Sequence, residues 1–413
     1  MLSITHPIVM SYIHELPVGL LPIIFKGDSL PRLVVKANKE IILSAKVRKS
    51  FSIHLIPYDV NGVKSVGFMA AFFDDQQHPL VLSGALAKEL LGYEFCKVFL
   101  SEEVNVHFFD ELGRETLGYK ARFKSSNIHR SLLEQSEIPS AEGLNQSAIL
   151  NDLRRWFQLS GEREDEQAIK VEFIEPLFPE NFVFADMRDE SHLYHGSPPV
   201  SHFTLERNEP GSYQEQEIIA LLQRTFAPEE IYFSPKRYYD REEVSDILVI
   251  TNDNVFVIQA KDSPNLEKTI NLPIDRKKAT ALKALKKAAA QVKGATTYLR
   301  RRKPAVFFID DKEIVVDLEG KGLYGLVIMK ELFDDSYDEY TSILIGLYEQ
   351  TQVPTIPLSY SELHQYTRFL AGDEAFLEAF MKVFNWGHKT GMFPRLRVMA
   401  PGSVVNEDPP LPS

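Results

Sequence analysis

The chain reads as an α/β protein: a mixed sheet flanked by helices, preceded by a separate β-rich domain and followed by a helical extension. Two observations predict it. Short apolar runs bounded by turn residues recur through the first 145 residues. Between 205 and 335, strand-like runs are separated by helical patterns, one of them long. At 413 residues with 44% hydrophobic content the chain is globular, with room for two or three domains of roughly 100–200 residues each. The expected layout is a β-rich domain over 1–145, a connector over 146–204, the α/β domain over 205–335, a helical extension over 336–400 and a disordered tail over 401–413.

In the first domain, residues 33–36, 41–44, 51–56, 66–73 and 104–109 read as strands, and 83–91 as a helix closed by Gly92. His54, His78 and His107 are too scattered for a metal site. Cys96 is the single cysteine, which excludes an internal disulfide and favours a reducing compartment; between Phe95 and Lys97 it reads as a small buried hydrophobe. The apolar run 13–25 contains Pro17 and Pro22 and lacks a basic leader, so neither a signal peptide nor a membrane span is expected and the location is taken as cytoplasmic. The domain is assigned recognition, regulation or assembly, through a homo-oligomer contact or a protein partner.

The connector holds a short helix near 150–157, a charged run at 162–166 and a Pro- and His-containing stretch. His192 and His195 have a spacing that suits one helical face, but Gly196, Pro198 and Pro199 predict a loop.

Between Asp246 and Lys261 the sequence is DILVITNDNVFVIQAK. Two apolar runs around an Asn/Asp-rich turn predict a β-hairpin. Side-chain alternation then puts Gln259 and Lys261 on one face, with Ala260 on the other. An acid, an amide and an amine meet at one end of the hairpin, a layout suited to holding a divalent cation and a water beside a phosphodiester. Downstream, residues 276–303 carry eleven Lys or Arg and no Asp or Glu, although the whole chain is acidic at −12. Leu282, Leu285, Ala289, Val292, Thr296 and Leu299 recur at helical steps, so this is a long helix with one packing face and a cationic remainder. Lys283, Lys286, Lys287 and Lys293 lie off the apolar stripe, and with Arg300 and Arg301 they form a candidate track for a polyanion.

The sixteen hairpin residues resemble the active-site hairpin of the PD-(D/E)XK nuclease superfamily. They fit without gaps the pattern of its NERD (nuclease-related domain) branch, with Asp246 and Lys261 at matching positions. Gln259 stands where most of the superfamily has Asp or Glu, and is similar to the Gln-x-Lys variant of Mrr-type restriction endonucleases. The resemblance covers about 205–335 and implies a restriction-endonuclease-like sheet. It also implies a metal-dependent endonuclease or exonuclease acting on DNA ahead of RNA, in restriction or anti-phage defence. Mg²⁺, or Mn²⁺ in its place, would be held by the Asp246 carboxylate, the Gln259 side-chain carbonyl and an acid from the preceding helix, with the Ala260 backbone carbonyl as a further oxygen. Lys261 would orient or help deprotonate the attacking water and offset transition-state charge.

The preceding helix is expected over 211–226, with apolar residues at Ile218, Ile219, Leu221, Leu222 and Phe226. Glu215 is the acid that best matches the superfamily's first-helix Glu, with Glu217 as the fallback. Gln291 matches a position where related nucleases place a Gln facing the active site. Residues 305–309 and 325–329 are buried-strand candidates expected to extend the sheet, and Ser359 and Glu362 have capping-box spacing before a helical stretch over 360–386. Because Gln259 removes one negative charge, the competing expectation is a catalytically inactive nuclease fold kept as a nucleic-acid-binding or assembly platform. A third reading places the function in the N-terminal domain.

Overall fold

The computed structural model describes residues 1–395 except 17, 61, 75–78, 143, 160–167, 208–210, 265 and 371. His78, the charged run 162–166 and the tail 401–413 lie outside the described residues. The fold is mixed α/β throughout, and contacts divide the chain into two compact units that meet in sequence between Asn181 and Phe182.

The first unit is built on an eight-stranded sheet. Its strands are β1 Gly19–Ile23, β2 Arg32–Lys36, β3 Ser50–Val60, β4 Val63–Phe72, β5 Leu80–Ala85, β6 Glu103–Phe109, β7 Glu115–Lys124 and β8 Ile169–Pro176. Their order is β1-β2-β6-β7-β8-β3-β4-β5, antiparallel except for the β2/β6 pair. Phe51, Phe72 and Phe108 are fully buried, and their rings meet in stacked and edge contacts. Burying each such ring stabilises the fold by about 1.5–3 kcal/mol.

Three expectations for this region are corrected. Residues 41–44 lie in helix α1 (Lys39–Arg48), not a strand. Asn38 caps that helix, its side chain accepting from the Ile41 N–H at 3.0 Å, and Ile41, Ile42 and Leu43 are all buried, so an apolar run with strand character packs as helix. Residues 83–91 are not one helix: β5 runs to Ala85, only Lys88–Leu90 form a single 3₁₀ turn, and helix α2 (Gly92–Phe99) starts at the glycine expected to end one. Leu91 turns the chain at φ 58°, and a Cβ on Gly92 would sit 2.8 Å from the Ala87 carbonyl, so close backbone approach is what needs glycine there. Finally, residues 146–181 are not connector. They supply α3 (Gln146–Leu159) and β8, which pairs with β7 and β3 in the interior of the sheet.

The second unit contains β9 Phe184–Asp186, β10 Ser201–Phe203, β11 Ile231–Phe233, β12 Lys236–Arg237, β13 Ile247–Ile250, β14 Asn254–Lys261, β15 Ala305–Ile309, β16 Lys312–Val316, β17 Gly322–Met329 and β18 Thr355–Ser359. Its main sheet has the order β11-β13-β14-β17-β18. The first three strands are antiparallel, and β14, β17 and β18 are parallel. Helices α4 Gly211–Leu222, α5 Ile274–Arg301, α6 Tyr337–Thr351, α7 Tyr360–Phe369 and α8 Asp373–Thr390 cover it.

Both faces of the central strands are buried, which is why ILVI and VFVI are continuous rather than alternating runs. Phe256 packs against Phe226, Phe376 and Phe380 at ring separations of 5.7, 5.6 and 5.9 Å. The opposite face meets α5: Gly325, paired with Val257, lies so close that a Cβ there would come within 2.9 Å of Val292.

Two further corrections concern the sheet. Residues 305–309 do not extend it but form a separate three-stranded sheet with β12 and β16. The 336–400 segment is more than a helical extension, because it supplies the fully buried edge strand β18, where Pro357 is tolerated at the sheet margin. The capping box forms as expected: Ser359 N–H donates to Glu362 Oε2 at 2.7 Å and Glu362 N–H to Ser359 Oγ at 3.2 Å.

Candidate active site

The hairpin fixes the site. Pairing of Ile247 with Ile258 brings Asp246, the residue before β13, across from Gln259. Val257 faces α5, so by alternation Gln259 and Lys261 point to the α5 side as well. Asp246 is buried, and its Oδ2 accepts from the Ala260 N–H at 2.6 Å and from Lys261 Nζ at 3.4 Å. Among the described residues Oδ1 accepts no hydrogen bond, so one carboxylate oxygen remains open to a ligand. Lys261 Nζ also donates to the Ala260 carbonyl at 2.8 Å and to Gln259 Oε1 at 3.4 Å. Acid, amide and amine thus share one hydrogen-bonded cluster, and the Ala260 carbonyl, considered as a cation ligand, already has a donor.

Helix α4 adds Glu215. Its carboxyl is pushed up to about 8, first by burial, then by the negative charges of Asp246 and Glu243, with Lys261 opposing. Asp246 is raised too: burial outweighs the stabilisation it receives from Lys261, the Ala260 N–H and Lys287. Buried Asp246 thus acts on partly buried Glu215. The alternative acid, Glu217, is directed elsewhere. It faces Arg207 at 3.5 Å, and Arg207 also approaches Asp262 at 3.5 Å, with all three side chains buried.

Glu243 belongs to the site, and sequence reasoning missed it. Its side chain is exposed, its Oε1 accepts from Ser234 Oγ at 2.7 Å, and its carboxyl is raised by partial desolvation and by Asp246, with the Ser234 hydrogen bond, Lys261 and Lys236 opposing. A cavity of about 270 Å³ opens beside the cluster, lined by Glu243, Gln259, Gln291 and Tyr298 among others. Gln291 Oε1 is a buried acceptor with no donor among the described residues.

The long basic helix forms, over 274–301 rather than 276–303, with Leu285, Ala289, Val292, Thr296 and Leu299 buried, while Leu282 is partly buried. Lys283, Lys286, Lys287, Lys293, Arg300 and Arg301 are exposed. They do not form one track. At 3.6 residues per turn, Lys283, Lys287, Gln291, Tyr298 and Arg301 share the stripe that carries the cavity lining, and Lys287 is near enough to influence Asp246. Lys293 and Arg300 lie on another stripe: Lys293 Nζ donates to Gln350 Oε1 at 2.8 Å and Arg300 to the Thr351 carbonyl at 2.6 Å, tying α5 to α6. These two contacts place Lys293 and Arg300 against α6 rather than beside the cavity.

Among the described residues the histidines make no centre. His192 and His195 bond separate backbone carbonyls, of Asp186 and Glu229. His107 pairs with buried Glu115 at 2.8 Å, and His54 packs edge-on to Phe157. Cys96 is half-buried, and burial raises its thiol. No described helix is long and apolar enough to cross a membrane.

Among the described residues no three His, Cys, Asp or Glu side chains are grouped to hold a metal ion. Mg²⁺ asks for less, taking one or two carboxylates and keeping several waters. Asp246, Glu215 and the neutral carbonyl of Gln259 are hard oxygen donors of that kind, and the mutual repulsion of the acids is what a cation relieves. The donor set fits the ion chemically. No family model, no curated protein and no solved structure matches this chain.

Proposed function

We propose that the second unit is a metal-dependent nuclease of the PD-(D/E)XK type, in a NERD-like or Mrr-like branch with Gln-x-Lys in place of the second acid. The observation that carries this reading is the cluster of Asp246, Gln259 and Lys261 beside Glu215, with Lys287 of the basic helix near enough to act on Asp246. Structural ion pairs end in matched charges. Here two carboxyls are raised toward neutrality beside a cavity, the pattern expected of a functional site. A role in restriction or anti-phage defence rests on the resemblance alone.

Asp246, Gln259 and Glu215 would hold Mg²⁺ or Mn²⁺. The chemistry a bound ion supplies is polarisation of a phosphoryl oxygen and acidification of water. Lys261 is the residue that acts on the reactants. Its ammonium, held by the Ala260 carbonyl and the Gln259 amide, orients a water and offsets charge developing on the phosphoryl group. Asp246 fixes that ammonium, and Lys283 and Lys287 draw in the phosphate backbone without reading sequence.

The test is cleavage of plasmid and linear DNA by the purified chain with Mg²⁺ or Mn²⁺, beside Asp246→Ala and Lys261→Ala. Cutting that requires the ion and is lost in both variants supports the reading; cutting that survives in both removes it. The lack of a three-residue acid group among the described residues favours a second reading, a nuclease fold kept as a nucleic-acid platform. Salt-sensitive DNA binding with no cutting under any ion would select it.

A further inference from the structure

We propose that Tyr238 and Tyr239 form a base-stacking platform at the mouth of the cavity, so that the substrate presents unpaired nucleotides, as a single strand or a frayed end. The inference rests on the nuclease reading and adds the substrate class. Two adjacent tyrosines, 45% and 51% exposed, stand on the loop that leads into Asp246. Single exposed aromatics need no explanation, but two side by side among guanidinium groups do. Their rings are perpendicular at 5.3 Å, and Tyr239 lies 6.0 Å from Tyr298, which lines the cavity. Arg302 sits 4.8 Å over the Tyr238 ring. A continuous path therefore leads from Gln259 through the cavity to Tyr298, Tyr239, Tyr238 and Arg302.

The platform is held in place before any ligand arrives. The Tyr238 N–H donates to Tyr298 Oη at 3.1 Å, the Arg237 N–H to the Glu242 carbonyl at 2.7 Å and the Val244 N–H to the Pro235 carbonyl at 2.7 Å. Arg241, at φ 61°, closes the turn and rests its guanidinium on Phe308. A fixed aromatic loses little entropy on stacking. Arg237 is balanced by Asp240 and Glu242, whereas Arg301 and Arg302 at the end of α5 are exposed and add positive charge along the path. Aromatic rings beside cationic groups bind unpaired bases without sequence preference; in a duplex interior the same base faces are already stacked.

The test uses the full chain carrying Asp246→Asn to suppress cutting. Fluorescence anisotropy would compare a labelled mixed-sequence DNA single strand with a blunt duplex of the same sequence. The expected result is tighter binding of the single strand, a loss of roughly tenfold or more on it with Tyr238→Ala/Tyr239→Ala, and retention with Tyr238→Phe/Tyr239→Phe. Unchanged single-strand affinity in the alanine pair, preference for the blunt duplex, or binding of neither overturns the proposal. With Asp246 intact and Mg²⁺ present, single-strand-tailed duplex should be cut faster than blunt duplex, and the alanine pair should erase that difference. Equal cutting of both forms by parent and pair defeats the platform while leaving the nuclease reading standing; stacking-dependent binding with no cutting does the reverse.

Discussion

Cation binding at this site should be strongly pH-dependent, because Glu215 must lose a proton to take part. With its carboxyl pushed up to about 8, the group is mostly protonated at neutral pH. A ligand that needs the ionised form then binds more weakly by a factor of 1 + 10^(pKa − pH), about 11-fold at pH 7 and about 100-fold at pH 6, or about 1.4 kcal/mol per pH unit. Above pH 9 the dependence flattens. Titration calorimetry with Mn²⁺ between pH 6 and pH 9, in buffers of different ionisation heat, reads both the affinity and the protons released. Asp246 is raised as well and adds to the release at the acid end. Glu215→Gln should bind more weakly at pH 9 yet show a much flatter profile. In the metal-free protein the sign reverses. A raised carboxyl contributes stability that is full below its ordinary value of 4.5 and lost as pH rises through about 8. Melting temperature should therefore fall from pH 5 to pH 8.5, and fall less in Glu215→Gln. Glu111 in the first unit, also pushed up to about 8, contributes a background slope that the parent-variant difference removes. Equal Mn²⁺ affinity at pH 6 and pH 8, or a parent-like slope in the Gln variant, would refute the assignment of Glu215 to the cation.

Three other outcomes are expected. Arg207→Ala should destabilise the second unit by about 3 kcal/mol, since it leaves Glu217 and Asp262 buried without their shared cation; urea unfolding read from Trp386 in a Trp156→Phe background measures it, and a change below ~1 kcal/mol would contradict it. Gly294 sits on α5 with nothing within 4 Å of a Cβ, so Gly294→Ala should raise stability by about 1 kcal/mol, while Gly294→Phe should fill the cavity and abolish cleavage with the melting temperature preserved. Gln259→Glu should tighten Mg²⁺ or Mn²⁺ binding on the order of tenfold by adding a charged ligand, and an unchanged affinity would place Gln259 outside the ligand set.

The hairpin and the basic helix were legible because each is a continuous local pattern whose period matches its burial. Alternation alone puts Gln259 and Lys261 on one face, and the structure adds what that face meets. What escaped was long-range. β8 is a short run of apolar and charged residues whose place is set by pairing with β3, more than a hundred residues earlier, so the domain boundary moved from 145 to 181. β18 carries Pro357, which argues against a strand unless the strand is known to lie at an edge. β7 was missed although Leu117, Tyr119, Ala121 and Phe123 alternate inward. Glu243 had no local signal, because only the fold of the 236–244 loop brings it beside Asp246.

Glu243 also bears on what Gln259 does. Asp246, Glu215 and Glu243 act on one another electrostatically, and Lys261 and Lys287 are the cations that reach Asp246. A fourth acid at 259, alongside Lys261, would draw the ammonium into a tight ion pair. The neutral amide instead holds it by a 3.4 Å hydrogen bond, with the 2.8 Å bond to the Ala260 carbonyl as the closer contact. Lys261 is thereby positioned by two neutral oxygens and the Asp246 carboxylate, while the negative charge missing from 259 is present at Glu243, one strand away and bound to Ser234. Changing Gln259 to Glu and Glu243 to Gln together moves that charge without altering its amount. If charge alone governs the site, the double variant should match the parent in cation affinity; if Gln259 serves to keep Lys261 free, it should bind the ion as well or better and cleave more slowly.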